Sequence, residues 1–316
     1  MSIKVGIVMD PIEDISFHKD TSLALMFAAQ EKGCELYYME QQDLSIQNGQ
    51  AFGRMAKITV AMNPDSWFEK EQAIDCPLSD LHIILMRKDP PFDGEFIYST
   101  YILERAAKEG VLIANNPQSL RDCNEKVFAT EFAELMSPTT VTRRPDLLKA
   151  FHAEHGDVIF KPLDGMGGSS IFRLKKDDPN VSVIIETLTD HGKQQIMAQR
   201  FIPEITSGDK RILMIDGEAV PFTLARIPAD GETRGNLAAG GSGITMPLSA
   251  KEKAIADQIG PILKEKGLYF VGLDVIGDYI TEINVTSPTC VREISRDSGI
   301  DVASQLIDCL LQKVRC

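Results

Sequence analysis

The sequence predicts two architectures in one chain, a parallel α/β sheet over residues 1 to about 120 and an α+β region after it. Three observations predict this. Residues 4–9, 35–39, 82–86 and 111–114 are short apolar or β-branched runs separated by helix-patterned stretches, the alternation that builds parallel sheets. After residue 116 the pattern turns to strand–turn–strand, with Asp216-Gly217 as a hairpin turn between two apolar runs. At 316 residues the chain is long enough for two or three cores.

Taken in order, 20–32 reads as a helix, with Leu23, Met26, Phe27 and Gln30 at helical spacing and Gly33 as its stop. A second helix over 95–108 puts Tyr98, Tyr101 and Ile102 on one side. Residues 45–76 are poorly periodic and are expected to hold one or two short strands. Residues 124–136 read as a helix with Lys126 near its start. The capping box Ser249-x-x-Glu252 opens a helix with Ile255, Ile259, Ile262 and Leu263 on one face, bent by Pro261. A last amphipathic helix carries Val302, Leu306, Cys309 and Leu310, with Cys34 and Cys309 expected in the core.

The net charge of −13 argues against a general nucleic-acid or anionic-membrane binder, since both need a basic surface. No apolar run approaches the ~20 residues that span a bilayer, and no secretory leader is evident. The six cysteines are dispersed without C-x-x-C pairs, which points to reduced thiols in a cytoplasm rather than to disulfides or zinc. His152 and His155 sit in a polar helical stretch and carry no expected chemistry. No G-x-G-x-x-G follows the first strand, so the dinucleotide fingerprint is absent.

Four stretches carry chemistry. Met86-Arg-Lys-Asp-Pro-Pro-Phe-Asp93 follows a buried strand, where open α/β sheets bind ligands, and makes Arg87 and Lys88 candidate anion contacts. Asp164-Gly-Met-Gly-Gly-Ser-Ser170 joins two strands; its glycines let the backbone approach an anion, with Lys161 before it and Lys126 able to neutralise phosphate. It is not a Walker loop. Residues 228–243 hold five glycines, with Arg226 before them and Arg234 inside, which reads as a lid or, more plainly, as a linker. Residues 269–288 read as a hairpin about Gly277-Asp278 that carries Asp274, Glu282 and Asn284. Their oxygens suit Mg²⁺, or they form a polar edge. Asp274 shares a face with Glu282 only if the two pair. That calls for an odd-length connection such as the three residues 277–279.

Together these strings resemble the ATP-grasp carboxylate–amine ligases, and within them the bacterial glutathione synthetases. The likeness runs from Gly6-Ile-Val-Met-Asp-Pro11 to about Glu293. It implies an ATP-grasp fold behind an N-terminal α/β domain, with divisions at 1–122, 123–202 and 203–316. It implies ATP-dependent ligation of γ-glutamylcysteine to glycine through an acyl phosphate, with ADP and phosphate released. Lys126, Lys161, Gly165, Gly167, Gly168 and Ser169 would hold phosphates; Gln199, Phe201 and Ile202 would face adenine and Asp209 the ribose. Arg211, Arg226 and Arg234 would be catalytic, with Asp274, Glu282 and Asn284 binding Mg²⁺ (two ions, Mn²⁺ as the alternative). Arg87, Asn284, Ser287 and Arg292 would meet substrate. A cytoplasmic homotetramer follows from the same likeness. The rivals are another ATP-grasp ligase, such as a D-alanine–D-alanine ligase, and a non-catalytic ATP-binding protein of this fold.

Overall fold

Four parallel strands make the centre of the first sheet in the computed structural model, which describes all residues except 1, 166, 230, 232–234, 236–239 and 316. In chain order come β1 (Lys4–Val8), α1 (Thr21–Glu31), β2 (Glu35–Met39), β3 (Leu44–Gln47), β4 (Gln50–Val60), β5 (Phe68–Lys70), β6 (Ile74–Pro77), β7 (Ile83–Met86), α2 (Gly94–Lys108), β8 (Leu112–Ala114) and α3 (Pro117–Asp122). Strands β2-β1-β7-β8 are parallel, as the alternating pattern predicts. The chain leaves β1 toward β2 on one side and returns to β7 on the other. Their carboxyl ends therefore diverge and open a crevice there.

The poorly periodic 45–76 stretch holds four strands, not one or two. The reason is Asn48-Gly49, both at positive φ (52° and 85°), which make a two-residue hairpin turn that pairs Gln47 with Gln50. It launches the eleven-residue β4, which pairs antiparallel with β2 and carries β3, β5 and β6.

Helix α2 turns its Phe96 face inward, with Ile102 half-buried beside it. Phe96, Thr100, Leu103 and Ala106 are buried, while Tyr98 and Tyr101 lie in solvent, with the Arg121 guanidinium 4.6 Å from the Tyr101 ring centre. Both faces have helical spacing, and the tyrosines are the residues whose polar ends tolerate water. Residues 128–135 form a 3₁₀ stretch broken at Phe132 (φ −112°, ψ 51°), instead of one helix over 124–136. The break lets Phe128, Ala129 and Phe132 all face the core.

The second sheet is antiparallel, in the order β11-β10-β12-β9. It is built from β9 (Thr139–Thr142), α4 (Pro145–His155), β10 (Asp157–Pro162), β11 (Phe172–Lys175), α5 (Val181–Leu188) and β12 (Ile196–Arg200), around Leu148, Phe160, Ile185 and Ile196. The third follows as β13 (Asp209–Ile215), β14 (Glu218–Ile227), β15 (Ser242–Pro247), α6 (Ala250–Glu265), β16 (Phe270–Ile276), β17 (Tyr279–Asn284), α7 (Val291–Ser298) and α8 (Val302–Arg315), with strand order β15-β14-β13-β16-β17. Asp216 and Gly217 (φ 49° and 86°) form the predicted two-residue turn. Both hydrogen bonds of the Ser249/Glu252 capping box are present. Helix α6 runs through Pro261. Its buried face is Ile255, Ile259 and Leu263, with Ile262 half-buried.

Helix α8 packs back onto α1. Val302, Leu306 and Leu310 thereby share one core with Leu23, Leu25 and Met26, and the end of the chain is locked to its beginning. Cys34 belongs to this core; Cys309 is only half-buried. No described helix is long and apolar enough to cross a membrane.

Candidate active site

The hairpin β16–β17 sets the floor of a cleft that gathers most of the predicted site residues. Its turn is two residues long: Ile276 pairs with Tyr279 across Gly277 (φ 59°) and Asp278. The expected odd-length turn is therefore absent, yet Asp274 still pairs with Glu282. The parity is restored one step later by a bulge. Val275 pairs with Ile280, and the ladder then slips past Thr281. Asp274, Glu282 and Asn284 all line a cavity of about 310 Å³ between the second and third sheets.

Two groups of charges meet there. Arg211 donates Nε–H to Asp274 Oδ1 (2.5 Å) and Nη2–H to Oδ2 (3.1 Å). Arg226 Nη2 reaches both Asp209 Oδ2 (2.5 Å) and Asp274 Oδ2 (2.9 Å). These four side chains are buried and close to neutral in sum. Gly272 makes the arrangement possible: a Cβ there would stand 2.8 Å from Arg211 Cδ. In the second group Lys161 Nζ lies 3.3 Å and Lys126 Nζ 3.6 Å from Glu282 Oε1. Lys126 also donates to the Gly165 carbonyl (2.9 Å), tying the glycine loop to the floor.

Burial raises the Asp274 carboxyl, but Arg211 and Arg226 outweigh it and hold the group well below the usual carboxylate range. Glu282 is likewise raised by burial and lowered further by Lys126 and Lys161, with a net downward shift. Asp209 goes the other way, up to about 6, because burial and the neighbouring Asp274 charge exceed the pull of Arg226. Burial lowers Lys161, and the nearby Lys126 adds to this. The carboxylates of the floor thus stay ionised at neutral pH.

Gly165, Gly167, Gly168 and Ser169 form one wall, with Gly167 and Gly168 at positive φ (64° and 81°). Gln199, Phe201 and Ile202 line the same cavity. Arg173 lies 3.4 Å from the Phe201 ring centre and is held by two hydrogen bonds to Asp157. Arg234 lies outside the described residues, as does half of the 228–243 stretch. Gly235 is described and buried, and it lines the cavity. A Cβ on it would come within 2.4 Å of the Arg226 carbonyl and 3.0 Å of Asp209 Cβ. Gly235→Ala should therefore unseat this position from Arg226 and Asp209 and lower the thermal unfolding midpoint; an unchanged midpoint would speak against a tight contact here. The stretch ends sooner than 243, because Ser242 and Gly243 already pair with Ile227 and Arg226 in β15.

A second cavity, of about 380 Å³, opens at the divergent ends of β1 and β7 and shares Asp89, Ser287, Thr289 and Cys290 with the first. Arg87 belongs to it. Its Nη2 donates to the Pro288 carbonyl (2.9 Å) and its Nε to Ser22 Oγ (3.2 Å), while Ser287 Oγ donates back to the Arg87 carbonyl (3.2 Å). Burial lowers the Arg87 guanidinium to about 10. Lys88 lines neither cavity; its Nζ is held by Asp10 (2.8 Å) and the Asp89 carbonyl (2.8 Å). Arg292 lines neither cavity; it donates to the Phe17 carbonyl and lies over the Phe17 ring. Among residues of the second cavity, Arg87 Nη1, Thr21 Oγ1 and Glu293 Oε2 are buried without a hydrogen-bond partner. Such atoms cost about 1–3 kcal/mol each when left unmet.

Sequence reasoning missed Thr21, Glu125, Thr289, Cys290 and Glu293. Glu125 had a signal in its neighbour Lys126. The others come together only through the return of the 286–293 segment to the first sheet.

Comparison with known proteins places the chain in a family. The "Prokaryotic glutathione synthetase, N-terminal domain" matches residues 3–121, and the "Prokaryotic glutathione synthetase, ATP-grasp domain" matches 125–299. Glutathione synthetase of Pseudomonas aeruginosa is 62% identical over 310 residues, covering 98% of each chain. That of Escherichia coli O6:H1 is 59% identical over 308 residues, again covering 98% of each. Among solved structures, D-cycloserine synthetase DcsG is similar in fold, with a TM-score of 0.70 at 14% identity over 98% of this chain and 99% of that one. The ATP-grasp ligase PsnB, complexed with minimal precursor, Mg and ADP, has a TM-score of 0.63 at 17% identity over 99% and 98%. With both family domains matched in order and relatives this similar from end to end, the chain belongs to the prokaryotic glutathione synthetases, ATP-dependent, ADP-forming ligases of the ATP-grasp fold.

Proposed function

We propose that the two cavities divide the work of joining γ-glutamylcysteine to glycine, the first holding ATP and the second the dipeptide. The observation that carries this reading is the trio of unmet polar atoms at the second cavity: a guanidinium N–H, a hydroxyl and a carboxylate oxygen. A γ-glutamyl group presents a free α-carboxylate and α-ammonium. Arg87 and Thr21 suit the first, Glu293 the second. The dipeptide's other carboxylate then points through the shared Ser287–Cys290 segment toward the phosphate end of the first cavity.

In the first cavity Lys126, Lys161 and the Gly165–Ser169 backbone face the phosphates. Gln199, Phe201 and Ile202 line the adenine wall, and Asp209 sits at the ribose. The described residues fit a divalent cation. Asp274 and Glu282 are ionised hard oxygen donors on one face. Asn284 donates its amide N–H to the Gly272 carbonyl (3.2 Å) and presents its oxygen as the third donor. Mg²⁺, when bound, offsets phosphate charge as it develops. Arg211 and Arg226, buried and held rigidly by Asp274 and Asp209, stabilise an acyl phosphate and the tetrahedral species formed when the glycine amine attacks it. Arg234 and the loop around Gly235 exclude water from that acyl phosphate. The enzyme works in the cytoplasm.

Arg87→Met keeps the volume and removes the charge. The KM for γ-glutamylcysteine should rise about 10²-fold, the roughly 2.7 kcal/mol of a buried charge-assisted contact, while the KM for ATP stays nearly constant. Equal rises in both constants would contradict the division of the cavities.

A further inference from the structure

Strand β17 carries Glu282 and Asn284, yet it is the edge strand of its sheet. An edge strand leaves N–H and C=O groups unpaired along its outer side, and buried ones need partners. Here the partners come from the stretch that links the first sheet to the second. The Ile283 N–H donates to the Glu125 carbonyl (2.9 Å). The Val285 N–H (3.1 Å), the Thr286 N–H (3.2 Å) and the Thr286 hydroxyl (2.7 Å) all donate to Glu125 Oε1.

From the other side, Asn115 Nδ2 donates to the carbonyls of Val285 (2.7 Å) and Phe270 (2.8 Å), and its Oδ1 accepts from the Phe270 N–H (2.9 Å). Phe270 opens β16 and Val285 follows the last residue of β17. Two side chains therefore close the open end of the hairpin. One of them, Glu125, is the residue before Lys126. The backbone that seats the phosphate lysine is thus the same backbone that pins the strand of the metal donors.

We infer that Asn115 and Glu125 are positioning residues that fix where Glu282 and Asn284 stand relative to Lys126. They thereby govern how strongly a divalent cation tightens nucleotide binding. Neither need touch the cation or the nucleotide. Moving the end of β17 by a fraction of an ångström separates donors that must converge, and outer partners of metal ligands have effects of this kind. The inference rests on the metal assignment proposed above.

The test is titration calorimetry of ADP binding to the full chain, with and without Mg²⁺. In the wild type Mg²⁺ should tighten ADP. In Glu125→Ala this tightening should fall about tenfold or more, while Glu125→Gln, whose amide oxygen still accepts, should stay within about threefold of wild type. A purely structural role would lower the melting temperature of Glu125→Ala and leave the ratio of the two dissociation constants unchanged. That result would overturn the inference. If Glu125→Ala fails to fold, Thr286→Val removes one of the four bonds, and retention of full Mg²⁺ tightening in that variant would equally overturn it. Mg²⁺-independent ADP binding by the wild type would instead fail the metal assignment, and this inference with it.

Discussion

Glu282→Gln is expected to reduce ADP formation by about 10³-fold or more while leaving the fold intact. The magnitude is the several kcal/mol that a bound metal supplies to charge development, at about 1.4 kcal/mol per factor of ten. Glu282 sits opposite Asp274 on the cavity floor, and its carboxylate is the shared partner of Lys126 and Lys161. Glutamine keeps the shape but removes a metal donor and leaves two lysines without their counter-charge. The Glu282 side chain is 20% exposed, so water can relieve part of that imbalance. Steady-state ADP release and a melting curve on the same sample check both halves. Turnover like that of the wild type would remove Glu282 from the metal set.

Asp274→Asn should lose turnover as well, but it should not spare the fold. Asp274 is the common anion of Arg211 and Arg226, all three within the protein interior. Removing one partner of a buried ion pair leaves an uncompensated charge, at a cost of about 3–5 kcal/mol. The Asp274 carboxyl lies well below its ordinary value of 3.8 in the folded chain. Its stabilisation is therefore present above that value and is lost as pH falls through the depressed one. Urea unfolding at pH 7 should show a lower midpoint for Asp274→Asn, with the difference from wild type shrinking in strong acid. An unchanged midpoint at pH 7 would mean that the arginines find other partners.

The same hairpin shows what a sequence reveals and what it withholds. The apolar runs flanking Gly277-Asp278 are legible as strands, and alternation places Glu282 and Asn284 on one face. The Thr281 bulge is not legible. Nothing in Ile280-Thr281-Glu282 announces a ladder slip, and from the sequence only a longer turn would pair Asp274 with Glu282. Asn48-Gly49 was a readable turn that weak periodicity in its surroundings concealed. The choice of buried face on α2 turned on which of two helical stripes met the sheet, a tertiary fact.

In the candidate site, Lys126, Lys161, the glycine loop, Arg211, Arg226 and the floor carboxylates do come together. Arg292 does not, because its charge is spent on bracing Phe17. Asn115, Thr21 and Glu293 were not legible, and Glu125 only through its neighbour Lys126. Their partners lie far along the chain, as with Asn115 and Val285, and only the folded topology joins them.

ADP release from the purified chain, followed with each substrate omitted in turn and with D-alanine in place of both, tests the central claim most directly. Release should require γ-glutamylcysteine and glycine together, match glutathione formed mole for mole, and stay at background with D-alanine. ADP release supported by D-alanine, or equal release without γ-glutamylcysteine, would contradict it.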